Sequence, residues 1–237
     1  MRSEQPAAIF FDLDDTIIDD SAHTDDAWRM AVEAHRRELA GLDLEEMVQT
    51  IETVRAWYWS DPARHQVGRQ DLRAASTGIV VEAMSRLGGS EPELARRIAH
   101  LYRDIRDGGR ALFPGALDTL ERARSLGIKM ALLTNGDAIG QRAKLVQFDL
   151  ARHFDYLCIE GEFGCGKPDE RVYRGALQAL SATPESTWMV GDNLEWDVAA
   201  PMRLGLTGIW LDRFATGLPE KAPVTPHRIV RAISELL

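Results

Sequence analysis

Short apolar runs that each end in a polar residue recur along this chain of 237 residues and constrain its fold more than any other feature. The first run, residues 7–11, is apolar throughout and stops at Asp12. Apolar residues on both faces suit a central strand of a parallel sheet that is covered on its two sides. Similar runs occupy residues 128–133, 156–159, 188–190 and 208–211.

Segments with helical patterning separate these runs. They cover residues 116–125, 142–148, 170–180, 198–204 and 227–237. The first of them follows Pro114-Gly115 and stops before Gly127, which are ordinary start and stop signals for a helix. Strand and helix therefore alternate from Pro114 onwards. This alternation predicts an α/β fold built on a doubly wound, Rossmann-like parallel sheet.

A long segment, residues 19–110, interrupts this alternation. It shows helical periodicity and no convincing strand, with candidate helices at residues 26–39, 44–57, 72–87 and 91–106. A connection of this length is far longer than the ~15 residues common inside a compact domain. We therefore predict a catalytic core formed by residues 1–18 and 111–237, with an inserted α-helical cap domain at residues 19–110.

Composition narrows the classes of partner. The formal net charge of −9 disfavours nucleic acid, whereas a cation bound in a cleft would still allow a small phosphate ester. Only two cysteines occur, no apolar stretch approaches the ~20 residues needed to span a bilayer, and residues 1–6 lack a signal-peptide pattern. We expect a cytoplasmic protein with no membrane partner, and its oligomeric state stays open.

Polar residues that follow the predicted strands are the candidate site. Ligands of open α/β sheets bind beyond the carboxyl ends of the strands, so these residues are expected to converge. Carboxylates suit Mg²⁺, while a lysine and hydroxyl or amide donors can hold phosphate oxygens. The candidates are Asp12, Asp14, Thr134, Asn135, Lys167, Asp192 and Asp197.

Asp12 and Asp14 offer a pair of acids for phosphoryl transfer. A carboxylate can attack phosphorus and form a phospho-aspartate, which divides one difficult hydrolysis into two easier steps. A second carboxyl two residues further on can reach the leaving group and protonate it. Residues 161–167 also match most of a Walker A loop, but Pro168 stands where that motif needs a hydroxyl, which argues against an ATPase.

Four motifs in order resemble those of the haloacid dehalogenase superfamily. They are Asp12-Leu13-Asp14-Asp15-Thr16, Thr134-Asn135-Gly136, Gly166-Lys167-Pro168, and Gly191-Asp192-Asn193 with Asp197. The resemblance implies that Asp12 is the nucleophile and Asp14 the general acid/base, and that Thr134, Asn135 and Lys167 bind phosphate. It implies Mg²⁺ as cofactor, held by Asp12, Asp14, Asp192 and Asp197, with Asp197 either a ligand or the partner of Lys167. The insertion resembles the helical cap of the superfamily's first cap class.

Within the superfamily, residues 132–145 and 191–195 are most similar to N-acylneuraminate-9-phosphatases and to related 5'-nucleotidase-like phosphatases. The resemblance implies a phosphatase acting on a small phosphomonoester, either a sugar phosphate or a nucleoside monophosphate. Haloacid dehalogenases lack an acid at the position of Asp14, because a halide leaves without a proton. A phosphomutase, a 2-haloacid dehalogenase and a catalytically silent binding module remain the alternatives.

Overall fold

The structure is a computed structural model that describes residues 5–39 and 41–237. The chain divides into two compact units. One comprises the chain up to Asp19 together with Ala111–Leu237, and the other is Asp20–Arg110. The amino-terminal prediction concerns residues 1–6, of which residues 1–4 lie outside the described part.

The first unit is built on a parallel sheet of six strands. The order β5-β4-β1-β6-β7-β8 places β1 between β4 and β6, with which it pairs on either edge. The chain therefore passes to opposite sides of β1, and this reversal opens a crevice at the carboxyl ends of the strands. The strands are β1 Ala8–Phe11, β4 Lys129–Thr134, β5 Tyr156–Ile159, β6 Thr187–Gly191, β7 Thr207–Leu211 and β8 Arg228–Val230.

Helices cover both faces of this sheet, as the doubly wound prediction requires. Two separate clusters of buried apolar side chains lie on its two sides, one containing Ile9 and Phe11 and the other Ala8 and Phe10. Alternate residues of one strand point to opposite faces, so β1 is buried on both. The helices are α6 Ala116–Ser125, α7 Ala138–Gln147, α8 Glu160–Phe163, α9 Glu170–Leu180 and α10 Ala200–Arg203.

The carboxyl-terminal helix predicted at residues 227–237 was wrong. Arg228–Val230 forms β8, which pairs in parallel with β7, and Ile233–Glu235 forms a single 3₁₀ turn. Ile229 and Val230 are β-branched residues, which favour a strand where a sheet edge is available for pairing. The predicted helix at residues 198–204 also differs, because Leu194–Ala199 is π-helical and α10 follows it.

The second unit is helical and has its own buried core. The elements are α1 Thr24–Ala34, α2 Leu44–Ser60, α3 Pro62–Gly68, α4 Leu72–Arg86 and α5 Pro92–Gly108. Asp43, Asp61 and Asp71 cap α2, α3 and α4, since each carboxylate accepts a hydrogen bond from a backbone N–H of the first turn. In the described residues, no helix combines the length and apolar character needed to cross a bilayer.

A short two-stranded ribbon marks where the chain leaves and re-enters the first unit. β2 Ile18–Asp19 pairs antiparallel with β3 Ala111–Leu112, matching Ile18 with Leu112. The prediction missed this ribbon, because two residues per strand are too few to show alternation in the sequence.

Candidate active site

The carboxyl end of β1 brings Asp12 into a buried ion-pair network. The Asp12 N–H donates to the Val190 carbonyl on β6 at 3.0 Å, which continues the sheet register to the start of the loop. Lys167 Nζ lies 2.7 Å from Asp12 Oδ1 and 2.6 Å from Asp197 Oδ1, and Lys167 is only 1% exposed. One ammonium group therefore fixes two acids that stand 185 positions apart in the sequence (197 minus 12).

Asp192 adds a third carboxylate to this group. One oxygen from each of Asp12, Asp192 and Asp197 lies within 4.8 Å of the others. Asp192 is exposed to solvent, whereas Asp12 and Asp197 are buried. The predicted convergence of acids after β1 and β6 is therefore present in the structure.

The acids and the lysine of this cluster shift one another's pKa values. Loss of hydration raises the pKa of Asp12, with Lys167 opposing this shift and Asp197 adding to it. Asp192 keeps an exposed surface, but its carboxyl group is partly desolvated by the surrounding atoms, and this loss of hydration, then repulsion from Asp12, raises its pKa. Burial disfavours the charged form of Lys167, but Asp12 and Asp197 outweigh it and raise its pKa. Three acids against one ammonium leave an excess of negative charge that a divalent cation would neutralise.

Asp14 lies apart from this network and is held by helix α7. Lys144 Nζ lies 2.7 Å from both carboxylate oxygens of Asp14, and the Lys144 side chain is buried. Gln141 Nε2 donates to Asp14 Oδ2 at 3.0 Å and to Thr134 Oγ1 at 2.7 Å. Gln141 and Lys144 thus fix the orientation of the Asp14 carboxylate and connect it to the end of β4.

Asn135 joins the loops that follow β4 and β5. Its Oδ1 accepts from the Lys167 N–H at 2.7 Å, and its Nδ2 donates to the Lys167 carbonyl at 2.7 Å. Because the oxygen and the nitrogen of its side-chain amide both hydrogen-bond to the Lys167 backbone, Asn135 fixes the position of the loop that carries Lys167. A direct contact between Asn135 and phosphate stays a prediction.

Gly191 allows Asp197 to approach the end of β6. A Cβ at position 191 would lie 2.3 Å from Asp197 Cγ, a separation that no side chain tolerates. Asp197 Oδ2 also accepts from the Asn193 N–H at 3.0 Å, and the Asn193 side chain caps the turn that begins at Leu194. The short π-helical turn therefore places Asp197 next to Lys167. Asp197 can lie there because Gly191, at the end of β6, has no side chain.

Sequence reasoning missed three residues of this site: Thr16, Gln141 and Lys144. Thr16 Oγ1 donates to Asp12 Oδ2 at 3.2 Å, and the hydroxyl is buried. The predicted helix began at residue 142, whereas α7 begins at Ala138 with Asp137 as its N-cap. Asp137 is a residue type that commonly caps helices. A helix that begins directly after it places Gln141 and Lys144 on one face, so this capping signal would have identified both residues.

The comparisons with known proteins agree with this geometry. Residues 6–205 match the model of a hydrolase family described as haloacid dehalogenase-like hydrolase. The chain belongs to the haloacid dehalogenase-like hydrolases. This assignment confirms the resemblance inferred from the four motifs.

Two relatives and one solved structure place the chain among the haloacid dehalogenase-like hydrolases in more detail. A phosphoserine phosphatase of Thermus thermophilus is 39% identical over 180 residues, 75% of this chain and 65% of that protein. An N-acylneuraminate-9-phosphatase of Rattus norvegicus is 25% identical over 97% of this chain and 91% of that protein. YfnB of Bacillus subtilis, a HAD-hydrolase solved with magnesium, has 20% identity and a TM-score of 0.74, covering 98% of this chain and 97% of that one.

The solved structure confirms the α/β fold class, and its low identity limits that likeness to the fold. Haloacid dehalogenase-like hydrolases generally depend on Mg²⁺. The three clustered carboxylates of this chain are hard oxygen donors, which is the ligand chemistry that Mg²⁺ prefers. The donor set therefore fits the family's metal.

Proposed function

We propose that this chain is a Mg²⁺-dependent phosphatase that hydrolyses a small phosphomonoester through a phospho-aspartate on Asp12. The proposal rests on one observation: Asp12 and Asp14 are only two residues apart in the sequence, yet their carboxyl groups have different partners. Asp12 lies in the lysine and acid cluster, whereas Asp14 lies against Gln141 and Lys144. The two carboxyl groups therefore have different surroundings, as a nucleophile and an acid/base pair requires.

Three side chains would hold the metal. Asp12, Asp192 and Asp197 are close enough to share one ion, and the family resemblance implies the Asp14 backbone carbonyl as a further ligand. When bound, Mg²⁺ would neutralise charge on the phosphate and on the acids. With Lys167 bridging Asp12 and Asp197, Asp197 serves at least to orient the lysine.

The first step transfers the phosphoryl group to the protein. A carboxylate oxygen of Asp12 forms a bond to phosphorus while the ester P–O bond breaks. Asp14, in its protonated form, gives its proton to the departing alkoxide oxygen, so an alcohol leaves. The Lys167 ammonium, from the segment between α8 and α9, and the Thr134 hydroxyl, from the last residue of β4, stabilise the phosphoryl oxygens.

The second step returns the protein to its starting form. Asp14 is now a carboxylate and takes a proton from water, whose oxygen attacks phosphorus. The bond between phosphorus and Asp12 breaks, and inorganic phosphate is released. Lys144 orients Asp14 for this proton transfer, since its ammonium lies 2.7 Å from both carboxylate oxygens.

A substrate panel tests the proposal. The purified protein is assayed for inorganic phosphate release from p-nitrophenyl phosphate, sugar phosphates, nucleoside monophosphates and phosphorylated amino acids, with Mg²⁺ present. Hydrolysis with stoichiometric alcohol product supports it. An isomerised sugar phosphate would instead identify the phosphomutase alternative, and absence of turnover across the panel would favour a silent binding module. Halide release from a 2-haloacid would identify a dehalogenase.

Removing the metal is expected to lower turnover of p-nitrophenyl phosphate by about 100-fold or more, because the excess negative charge of the acid cluster then repels the phosphate. The measurement compares initial rates before and after chelation and gel filtration, and again after adding Mg²⁺. Circular dichroism before and after chelation controls for unfolding. Undiminished turnover in the chelated protein would contradict the assigned metal role.

Replacing Lys144 with Met keeps the length of the side chain and removes its charge. We expect kcat to fall by about 10- to 100-fold with little change in KM, since Lys144 orients the acid/base group and is not placed at the phosphate. Arg142→Met is the matched control, because Arg142 lies on the same helix in an exposed ion pair with Glu162. Equal kcat values for the two variants would remove Lys144 from the mechanism.

Two further assignments rest on the sequence alone. The cytoplasm is the proposed compartment, and the two cysteines, Cys158 and Cys165, are free. The helical unit is proposed to act as a cap that excludes water during the reaction.

A further inference from the structure

The Asp192 carboxylate is the least fixed of the three acids in the cluster. Lys167 bonds to Asp12 and to Asp197, whereas the Asp192 carboxylate is exposed to solvent and receives no hydrogen bond from any described residue. Carboxylates that bind metals are ordinarily oriented by hydrogen bonds from neighbouring groups. The position of the Asp192 side chain therefore depends on how firmly its backbone is held.

Trp210 on β7 holds that backbone. In the sheet it stands opposite Gly191, the last residue of β6, and its indole Nε1 donates to the Asp192 carbonyl at 2.8 Å. Trp210 is only 7% exposed, and a hydrogen bond shielded from water is stronger than one in solvent. This bond restrains the peptide unit that directly follows Asp192.

Tyr173 on α9 holds the other end of the same segment. A π-helical carbonyl accepts from the N–H five positions later, but five positions after Trp196 stands Pro201, which has no N–H. The Tyr173 hydroxyl donates to the Trp196 carbonyl, and Tyr173 is fully buried. This bond restrains the peptide unit that directly precedes Asp197.

We propose that Trp210 and Tyr173 are positioning residues for the divalent cation, because they hold the segment between Asp192 and Asp197 at its two ends. Acids that are already in place need not be ordered when the cation binds, which favours affinity. Each residue acts through a backbone carbonyl, so its effect belongs to metal affinity and not to the chemical step. This inference rests on the metal site of the proposed function and adds two residues that the mechanism above does not use.

Metal binding without substrate tests the inference. The full-length protein is titrated with Mn²⁺, which also suits carboxylate oxygens, and free Mn²⁺ is measured by electron paramagnetic resonance. Trp210→Phe removes the indole donor, and we expect the dissociation constant to rise by about tenfold. Tyr173→Phe removes only the hydroxyl, and we expect a rise of about fivefold, since Lys167 still bonds to Asp197.

Trp188→Phe and Tyr156→Phe are the matched controls. They make the same chemical changes on β6 and β5, where each side chain packs against an apolar cluster of the sheet. Both controls should bind Mn²⁺ with the affinity of the parent protein. Losses as large in the controls as in the test variants would overturn the inference, because the effect would then follow from any change in the packing of the sheet.

Turnover supplies a readout that a purely structural role would not move. With p-nitrophenyl phosphate, the Mg²⁺ concentration at half-maximal rate should rise by the same factors, while kcat at saturating Mg²⁺ stays within about twofold of the parent value. A folded variant whose Mn²⁺ dissociation constant is within about twofold of the parent value would overturn the assignment of that residue, even if urea unfolds it more easily. If Trp210→Phe fails to fold, Tyr173→Phe decides the inference alone.

The parent protein separates this inference from the proposed function. If it binds no Mn²⁺ and Mg²⁺ does not stimulate its turnover, the metal role in the proposed function fails, and the inference fails with it. If it binds Mn²⁺ and both variants match it, the inference fails while the phosphatase proposal stands.

Discussion

Asp12→Asn is expected to lower turnover of p-nitrophenyl phosphate by about 10⁴-fold or more while the protein stays folded. A neutral amide oxygen is a poor nucleophile towards phosphorus, so the phospho-aspartate cannot form at a useful rate. The fold should survive, because the substitution is nearly isosteric and Lys167 keeps its ion pair with Asp197 at 2.6 Å. The measurement is phosphate release in Mg²⁺, with circular dichroism to verify folding.

Two controls show whether a loss of turnover is specific to Asp12. Asp149→Asn applies the same chemical change at an exposed position of the same unit, where φ is 50° and Asn is well tolerated. It should retain the parental rate. Intact-protein mass spectrometry of Asp12→Asn excludes deamidation back to Asp, which would otherwise restore activity. Substantial turnover by a variant verified in this way would contradict the assignment of Asp12 as the nucleophile.

Lys167→Met is expected to abolish measurable turnover and also to destabilise the protein by about 3–5 kcal/mol. The substitution removes the ammonium group that bridges Asp12 and Asp197, and it leaves two carboxylates close together in a buried site. Catalysis suffers because the phosphoryl oxygens lose a cation. Urea denaturation without divalent metal measures the stability loss directly.

The stability loss in Lys167→Met should depend on pH. Burial and Asp197 already raise the pKa of Asp12, and Lys167 opposes that shift. Its removal therefore raises the folded-state pKa further above the unfolded value of about 3.9. A raised folded-state pKa contributes stability at low pH that is lost as pH rises through it. The variant should consequently be closest to the parent protein near pH 5 and fall furthest below it near pH 8.

A double variant separates the structural effect of Lys167 from its catalytic one. Lys167→Met combined with Asp197→Asn leaves a single buried acid, so part of the lost stability should return while turnover stays absent. Lys129→Met is the matched control, since the Lys129 ammonium hydrogen-bonds a backbone carbonyl, that of Leu180, away from the acid cluster. If the double variant were no more stable than Lys167→Met, the charge explanation would be wrong.

Local patterns were enough to predict the main strands. Residues 7–11 form a continuous apolar run, and the structure buries β1 on both faces. Pattern reasoning failed at residues 227–237, where tertiary pairing with β7 selected a strand over a helix. It also missed α3, whose seven residues give only about two turns of periodicity and whose buried surface is correspondingly small.

Sequence by itself determined the α/β class and the list of acids, because strand ends, turn residues and motif order are local properties of the chain. Only the tertiary structure decided how those acids are divided: Asp12 with Lys167 and Asp197, and Asp14 with Gln141 and Lys144. The physical reason is that these ion pairs form across 30 to 155 positions of sequence. Their geometry depends on the sheet order, which no single segment encodes.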